Sequence, residues 1–533
     1  MTFRNADTGA VRTNKTAPWL VFLAFALAWT LFHALTAPNR ATTDVFVFRD
    51  AGCNCAAGQG LVARSVPHNQ SANAELFASY TPGAPLLFAI PARIFGCRPY
   101  VDLFYNLFFA AFSAGLLLFA VLRGVSSSAV RLASAFLIGI VLPTGVISAG
   151  GDRPEAPAFC LLAILLLAWR PIRSTLAKTL LAGANGLVFL IHPFAGIVGW
   201  LLLCFLLAFA RGQREVLVTR AAIALAGLVT MIAIIGACAL VMWRIDPTSL
   251  RRFLQHAMGK GTGAGVVLQS HASRLDGYIT AFHHVFNSRT ILGGTGVIAL
   301  LLAFVAIAIF VAFAAVPKKF RNYCRLQFVA LGAILFGVPL VLFPGQPNYF
   351  ALDCAVLLLV AVLGGFELSD FIRQSRLPVV LIGLVSLSLL PSLAIDALQN
   401  IEGRASYRHA QDQAQRIAGY FAHKGVKDPA VLVSVSDYFL YKPYFNRLYA
   451  PDYLVFPGAR KDYDGLVLCY AGTQAFTHDE LPWPDGLSKD GWTLIEDGRD
   501  GLRISLLGKP VMRRNWGWSC DVYASSAIAN ANP

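Results

Sequence analysis

Long apolar runs without charged residues recur along this chain of 533 residues. The first extends from Ala17 to Ala37, and about 20 such residues are enough for a helix to cross the hydrocarbon core of a bilayer. Lipid offers the backbone no hydrogen-bond partner, so each run has to satisfy its own peptide groups as a helix. The other runs occupy residues 100–122, 130–148, 155–169, 178–192, 194–210, 221–243, 290–316, 326–343, 349–367 and 378–395. The sequence therefore predicts a polytopic α-helical membrane protein with about eleven transmembrane helices.

The composition excludes the other broad classes of protein. Only 14% of the residues are charged, whereas soluble domains contain about a quarter. Hydrophobic residues make up 56% of the chain, which excludes a disordered protein. The formal net charge of +15 would indicate a nucleic-acid partner if the protein were soluble. The position of the charges therefore decides what this excess means.

The basic residues concentrate in every second short loop between the predicted helices. These loops contain 17 basic residues against four acidic ones. Because lysine and arginine favour the cytoplasmic side of a membrane, the N-terminus is predicted to be cytoplasmic. An odd number of helices then places the C-terminal tail outside. The positive net charge therefore reflects the orientation of the chain in the membrane, and we expect no nucleic-acid partner.

This topology predicts a membrane domain over residues 1–395 and an extracytoplasmic domain over residues 396–533. The membrane domain has two large outer loops, at about 38–99 and 244–289. The first helix is predicted to be an uncleaved signal-anchor, because no small-residue cleavage site follows it. The apolar piece Leu86–Phe95 is too short to span and is predicted to lie at the membrane surface or to re-enter it.

The tail differs from the rest of the chain in its charge balance and in the length of its apolar runs. It contains 15 basic and 16 acidic residues, so it is nearly neutral. Short apolar runs bounded by turn residues are typical of strands. They occupy Ala430–Val435, Gly465–Tyr470, Trp492–Ile495 and Leu502–Leu507. With a predicted helix at about 404–423, the tail is expected to form a small α/β domain.

Five of the ten cysteines lie on the predicted outer side, where disulfides persist. Pairing of Cys469 with Cys520 would staple the tail. Cys97 is expected to pair with either Cys53 or Cys55 across the first loop. The alternative is a metal site on Cys53 and Cys55, but their spacing does not match a usual zinc pair.

The first outer loop contains the residues best placed for chemistry. Asp44 follows the first predicted span closely, and Asp50 comes six residues later. A carboxylate at the lipid–water boundary can accept a proton from a sugar hydroxyl while a lipid headgroup lies at the same depth. The alternative is an ordinary capping or solvated carboxylate. After a glycine-rich turn, Tyr80 opens a Tyr-Thr-Pro-Gly-Ala-Pro segment that leads into the short apolar piece.

A second polar group of residues is Gly-Gly-Asp-Arg-Pro-Glu at 150–155, between the third and fourth spans. The guanidinium of Arg153 suits a lipid phosphate, because it binds phosphate oxygens in a forked geometry. The alternative is a local ion pair of Arg153 with Glu155 at the start of a helix. Charged residues at membrane depth usually face protein or a water-filled cavity, which favours function for this group.

The second outer loop combines basic residues with a glycine-rich stretch at 259–265. Glycine-rich backbone can wrap a phosphate with its amides, although the spacing of a nucleotide P-loop is absent. The alternative is a mobile, solvated loop. The candidate phosphate or substrate ligands here are Arg251, Arg252, His256 and Lys260.

Two further candidates for substrate binding lie at the outer ends of predicted spans. His192 precedes a proline at the end of one span, and Tyr349 closes a Pro/Gly-rich connection between two others. Such a connection is also a normal chain reversal. No histidine spacing in the chain matches a metal-binding motif.

The order of these features resembles the GT-C superfamily. It consists of a signal-anchor helix, an outer loop opening with Asp44, a G-x-G-like turn and a Tyr-x-Pro-Gly segment before a short apolar helix. The superfamily contains polytopic glycosyltransferases that use polyprenyl-phosphate-linked sugars. The likeness is to its bacterial mannosyl-, arabinosyl- and protein-O-mannosyltransferase-like branch. It is carried by residues 43–96 and 150–156 and does not identify a subfamily.

The resemblance implies a function and roles for several residues. A hexosyl or pentosyl group would move from a polyprenyl-phosphate donor to a glycan, lipid or protein acceptor on the outer face of the plasma (inner) membrane. Asp44 would be the general base, with Asp50 as the reserve candidate. Asp152, Arg153 and Glu155 resemble a family motif. Some members need a divalent metal at this aspartate, so the resemblance allows Mg²⁺ or Mn²⁺ at Asp44. Asp44 lacks the paired acidic neighbour of the commoner pattern, which leaves both possibilities open.

The alternative function is that of a membrane transporter or lipid flippase. Such proteins carry ionisable residues within several spans and repeat broken helices in two halves. The predicted spans are almost free of charge, and the two halves of the chain are not similar. A structural or receptor-like membrane protein is a third possibility.

Overall fold

The structure, a computed structural model, describes most of the chain outside one long internal segment. The described residues are 16–36, 43–63, 77, 81–124, 127–142, 154–169, 171–172, 174–209, 217–245, 247, 250, 377–434, 437–450, 462–469, 483–497, 505–506, 509–510 and 520–531. Apolar helices form the N-terminal part, and a long helix leads from them into a mixed sheet.

The helices begin and end where the local sequence favours it. The Ser127 hydroxyl accepts from the backbone N–H of Val130 at a helix start, as N-cap side chains do. Pro193, which has no N–H to satisfy, opens another helix directly after His192. The helices of the N-terminal part are α1 (Thr16–Leu35), α2 (Thr43–Ala56), α3 (Gly83–Phe95), α4 (Pro99–Gly124), α5 (Ser128–Val141), α6 (Glu155–Trp169), α7 (Thr175–Ile191), α8 (Pro193–Phe209) and α9 (Leu217–Ile245).

The predicted polytopic helical membrane protein is confirmed at this level. Helices α1, α4 and α9 are each long and apolar enough to cross a membrane. Helices α5 to α8 have 14 to 17 residues, fewer than the roughly 20 that a straight span needs. The predicted spans at 290–316, 326–343 and 349–367 lie outside the described residues. The number of eleven spans and the cytoplasmic N-terminus therefore stay predictions.

The helices of the N-terminal part enclose one apolar core. Its centre is α6, on which Phe159 and Leu162 are almost completely buried, with Phe194 and Leu202 of α8 against them. Residues of α1, α4, α5, α7 and α9 complete the core. Interhelical packing of this kind replaces the hydrophobic driving force that lipid does not supply.

One helix joins the membrane part to the tail. α10 (Leu377–His423) runs without a break across the domain boundary predicted at 395/396 and includes the predicted helix at 404–423. Its N-terminal part packs beside α5. Its C-terminal part packs on the sheet of the tail, where Ala414 and Phe421 are fully buried.

The tail contains the strands that the short apolar runs predict, together with three that they do not. The sheet order is β2-β1-β3-β7-β4, with β1 parallel to both β2 and β3, and β7 antiparallel to β3 and β4. A two-stranded sheet joins β5 and β6. The elements are β1 (Ala430–Val433), α11 (Tyr438–Tyr441), β2 (Arg447–Tyr449), β3 (Gly465–Cys469), β4 (Trp492–Glu496), β5 (Ser505–Leu506), β6 (Lys509–Pro510), β7 (Cys520–Ser525) and α12 (Ser526–Ala529).

The sheet is covered on both faces, and one of its two cores reaches the first outer loop. That core joins Val431 and Val467 of the sheet to Phe421 of α10, and continues to Phe88 of α3 and Tyr105 of α4. The other face carries a smaller cluster around Leu432. The tail domain and the helices of the first loop therefore share one apolar core.

Two disulfides stabilise this arrangement, and both fall on pairs that the sequence singled out. Cys53 of α2 is joined to Cys97 beyond the end of α3, with 5.7 Å between the Cα atoms. Cys469 and Cys520 are directly opposite each other on β3 and β7 and are also joined. Cys55 is a free cysteine.

Loss of the Cys53–Cys97 bond should destabilise the protein measurably. We expect Cys97→Ser to cost about 3 kcal/mol, because the bond closes a long loop in the unfolded chain. The measurement is the thermal unfolding midpoint in detergent. Cys55→Ser is the matched control and should leave the midpoint unchanged; equal midpoints for all three proteins would contradict the assignment.

Candidate active site

Both candidate catalytic aspartates lie on one helix. The sequence indicates a loop beginning at Asp44, but the structure forms the helix α2 from Thr43 to Ala56. Asp44 is in its first turn, where the positive end of the helix dipole favours a carboxylate. Two glycines with positive φ, Gly58 and Gly60, form the turn that follows, because this backbone conformation suits residues without a Cβ atom.

Asp50 is fully buried and connects α2 to the tail domain. Its Oδ1 accepts hydrogen bonds from the Tyr438 hydroxyl at 3.0 Å and from the Asn54 amide at 3.1 Å. The Lys442 ammonium lies 3.3 Å from the same oxygen and donates to the side-chain oxygen Oδ1 of Asn54 at 2.8 Å. Tyr438 and Lys442 belong to α11 and its C-terminal end. Asp50 is therefore held by two elements far apart in the chain.

The neighbouring residue, Arg49, connects α2 to the membrane helices. Its guanidinium pairs with the carboxylate of Asp102 and donates to the amide oxygen of Asn106, both on α4. It also lies between two aromatic rings, 4.5 Å from the centroid of Phe88 and 4.3 Å from that of Tyr105. Sequence reasoning missed this group, although charged residues inside otherwise apolar stretches are the signal that points to it.

The segment that starts α3 packs directly on the end of α7. The Thr81 hydroxyl donates to the carbonyl of Phe189 at 3.4 Å. A Cβ atom at Gly83 would lie 2.4 Å from the carbonyl oxygen of Leu190, so only glycine allows this approach. The glycine at the end of the Tyr-x-Pro-Gly pattern is therefore required by the packing of α3 on α7.

Glu155 and His192 meet beside this contact. Glu155 is the first residue of α6, and its carboxylate lies 3.7 Å from Nε2 of His192. Both side chains are buried. Because Nδ1 of His192 accepts the backbone N–H of Ala195 at 3.2 Å, the proton of a neutral ring is on Nε2, facing the carboxylate.

An apolar cluster brings these parts of the chain together. Phe48 of α2 and Ala84 of α3 pack with Phe77, and Ile191 at the end of α7 lies against them. Ile191 directly precedes His192 in the chain. Helices α2, α3, α6 and α7 therefore converge at one place, which is the candidate active site.

Several sequence-predicted residues lie outside the described residues. Two groups are adjacent in the chain to described parts of the site: Tyr80 precedes Thr81, while Asp152 and Arg153 precede Pro154. The others are Arg251, Arg252, His256, Lys260 and Tyr349. Their roles stay predictions.

No described group of residues fits a metal cofactor. The one group with suitable spacing among the described residues is Asp437, Cys469 and Cys520, but the two sulfur atoms are bonded to each other. The Asp50 carboxylate is next to the Lys442 ammonium, which repels a cation. A divalent metal at Asp44 stays a prediction.

Comparison with solved structures identifies the fold. The structure of ArnT from Cupriavidus metallidurans bound to undecaprenyl phosphate, a GT-C glycosyltransferase, matches 97% of this chain and 100% of its own. The TM-score is 0.54 and the sequence identity is 14%. The chain shares the fold of this structure. No family model and no curated protein matches the sequence. The resemblance predicted from residues 43–96 and 150–156 is therefore confirmed for the fold. Those motifs cover a small part of the chain, whereas the structural match covers 97% of it.

The Asp50–Lys442 pair should contribute far more to stability than an exposed pair. We expect Lys442→Met to cost about 3–5 kcal/mol, because it leaves a buried carboxylate without its cation. Arg416 pairs with Glu496 on the surface of the tail, and the matched control Arg416→Met should cost at most about 1 kcal/mol. Both are measured as thermal unfolding in detergent.

The double variant Asp50→Asn/Lys442→Met tests the same pairing. Removing both charges should recover part of the stability that Lys442→Met alone loses, because no buried charge is left unpaired. Strictly additive losses would show that the two side chains do not interact.

Proposed function

We propose that the protein is a glycosyltransferase that moves a sugar from a polyprenyl-phosphate-linked donor to an acceptor hydroxyl. The GT-C fold supports this class, and the matching ArnT structure was determined with undecaprenyl phosphate bound. The sugar would be a hexosyl or pentosyl group, and the acceptor a glycan, lipid or protein. We propose that the reaction takes place on the extracytoplasmic face of the inner membrane, with the tail domain on the same side.

The observation that carries the proposal is the convergence of α2, α3, α6 and α7. Asp44 lies four residues before Phe48, and residues four apart share a face of a helix. Phe48 packs in the cluster that includes Ile191, next to His192. We therefore propose that Asp44 lies on the side of α2 that meets the candidate active site.

The chemistry that we propose needs few groups. Asp44 accepts the proton of the acceptor hydroxyl as its oxygen forms a bond to the anomeric carbon. The bond from that carbon to the phosphate oxygen breaks, and the polyprenyl phosphate leaves with the electron pair. A single displacement of this kind inverts the configuration at the anomeric carbon.

The leaving phosphate gains negative charge, so cations should lie around it. Arg153 is two residues before the buried Glu155, which supports a position at the candidate site for its guanidinium. We propose Arg251, Arg252 and Lys260 as further phosphate ligands. Tyr80, His256 and Tyr349 are proposed to contact the sugar or the phosphate.

Glu155 and His192 are proposed to position the donor. A buried carboxylate that faces an imidazole N–H keeps the ring in one orientation. Since His192 starts the connection from α7 to α8, this pair also holds the helix end on which Gly83 packs. Asp152 is proposed to act with this pair.

Removal of the base should abolish the reaction and leave the fold intact. We expect Asp44→Asn to reduce transfer by at least 10²-fold, the usual contribution of a general base. The measurement is transfer of radiolabelled sugar from undecaprenyl-phosphate donors by the purified protein. Asp428→Asn, an exposed aspartate of the tail, is the matched control and should retain normal turnover.

Two results would contradict the assignment of the base. Normal turnover of Asp44→Asn would exclude Asp44, and loss of turnover in Asp50→Asn with unchanged stability would move the role to Asp50. Collapse of a substrate gradient in vesicles, without transfer, would favour the transporter or flippase.

The phosphate role of Arg153 predicts a change in donor affinity. Arg153→Gln should raise the KM for the lipid-linked donor about tenfold, because a charge-assisted bidentate contact is lost. Arg153→Lys keeps the charge and should recover part of the affinity. An unchanged KM in both variants would leave the local helix-start role as the better explanation.

A further inference from the structure

Helix α3 has one buried face and one apolar face that is largely exposed in the described structure. Ala84, Phe88 and Ala92 are buried. Leu86, Ile90 and Ile94 recur every four residues on another face and are 43%, 59% and 67% exposed. An exposed apolar stripe on a short helix is typical of a helix that lies in the interface of a bilayer.

Basic side chains gather beyond the C-terminal end of this helix. The ring of Tyr100, at the start of α4, contacts that of Tyr407 on α10, with 5.4 Å between the centroids. Arg404 and Arg408 interact electrostatically with Tyr100, and Arg98 interacts with Tyr407. The three arginines therefore lie near one aromatic pair, and we call them the arginine surface.

The arginine surface lies level with the ends of two predicted spans. The Tyr100 hydroxyl donates to the carbonyl of Thr36 at 2.9 Å, directly after the end of α1. Tyr100 itself is in the first turn of α4. The predicted spans therefore place the aromatic pair at the depth where lipid headgroups begin, which is also the depth at which tyrosine is enriched in membrane proteins.

The charge of this surface is not neutralised by described parts of the chain. Arg98, Arg404 and Arg408 are exposed, and none of them forms an ion pair with a residue whose side chain the structure describes. Burial raises the pKa of Tyr407, so its phenol stays neutral at physiological pH and supplies no compensating charge. Arginines on the predicted outer side also oppose the usual cytoplasmic bias of basic residues.

We propose that the arginine surface binds the headgroups of anionic phospholipids in the leaflet that α3 enters. Guanidinium groups bind phosphate oxygens in a forked geometry, and the apolar stripe of α3 would lie among the acyl chains beside them. The proposal goes beyond the transfer reaction, because it concerns a lipid that is not consumed.

The position of the surface separates it from the proposed donor site. Gly83, at the N-terminal end of α3, contacts Leu190 beside the candidate active site, whereas Arg98 follows the other end. A helix of 13 residues is about 20 Å long. The arginine surface and the contact of Gly83 with α7 are therefore at opposite ends of α3, which favours a second, structural lipid.

The test is lipid binding by the purified full-length protein in neutral detergent. Native mass spectrometry counts bound phosphatidylglycerol, phosphatidylcholine and undecaprenyl phosphate in separate titrations. We expect Arg404→Gln/Arg408→Gln to weaken phosphatidylglycerol binding roughly tenfold to thirtyfold, as each basic residue near an anionic surface contributes about a fivefold factor. Binding of phosphatidylcholine and undecaprenyl phosphate should not change.

Two control variants make the result specific. Lys427→Gln/Lys489→Gln removes the same charge from exposed positions of the tail and should not affect phosphatidylglycerol binding. Arg404→Lys/Arg408→Lys keeps the charge and should weaken it less than the glutamine variant. The thermal midpoint in phosphatidylcholine alone establishes that each variant is folded.

Three outcomes would overturn the proposal. Unchanged phosphatidylglycerol binding in the glutamine variant would show that the surface does not bind lipid. Equal loss of phosphatidylcholine would make the effect independent of headgroup charge. Loss of undecaprenyl phosphate alone would show a donor site. None of these readouts requires transfer activity, so failure of the proposed function leaves the test valid.

Discussion

Two adjacent residues of opposite charge determine how the first-loop helix α2 is held. Successive residues on a helix point in different directions, so Arg49 faces α4 and Asp50 faces α11. Both are buried, and a buried charge is tolerated when it is paired and hydrogen-bonded. Rotating or shifting α2 would break both groups at once. The position of Asp44, on the same helix, follows from this constraint.

The same constraint explains why the tail domain is joined to the membrane helices. Tyr438 and Lys442 reach α2 from the tail, and the disulfide of Cys53 ties α2 to the end of α3. Helix α3 in turn packs on α7 through Gly83. The candidate active site is thus built between the first loop and the ends of α6 and α7, and the tail holds the first loop in place.

Much of the fold could be predicted because its signals are local. Apolar runs predict the described membrane helices, and runs such as Gly465–Tyr470 predict strands of the tail. The strand β7 was missed because Cys520–Ser525 contains a charged residue and gains its stability from pairing with two other strands. This segment forms a strand because it pairs with strands distant in the chain, and the β-propensity of its own residues does not account for that pairing.

The sequence by itself determined the membrane class, the resemblance to GT-C enzymes and the cysteine pairs to consider, because hydropathy and short motifs are properties of neighbouring residues. Only the tertiary structure decided that Asp50 accepts a hydrogen bond from Tyr438, 388 residues away, and that Glu155 faces His192. It also shows that Cys53, and not Cys55, is the partner of Cys97. Such pairings depend on which helix faces meet, and that is settled by packing of the whole chain.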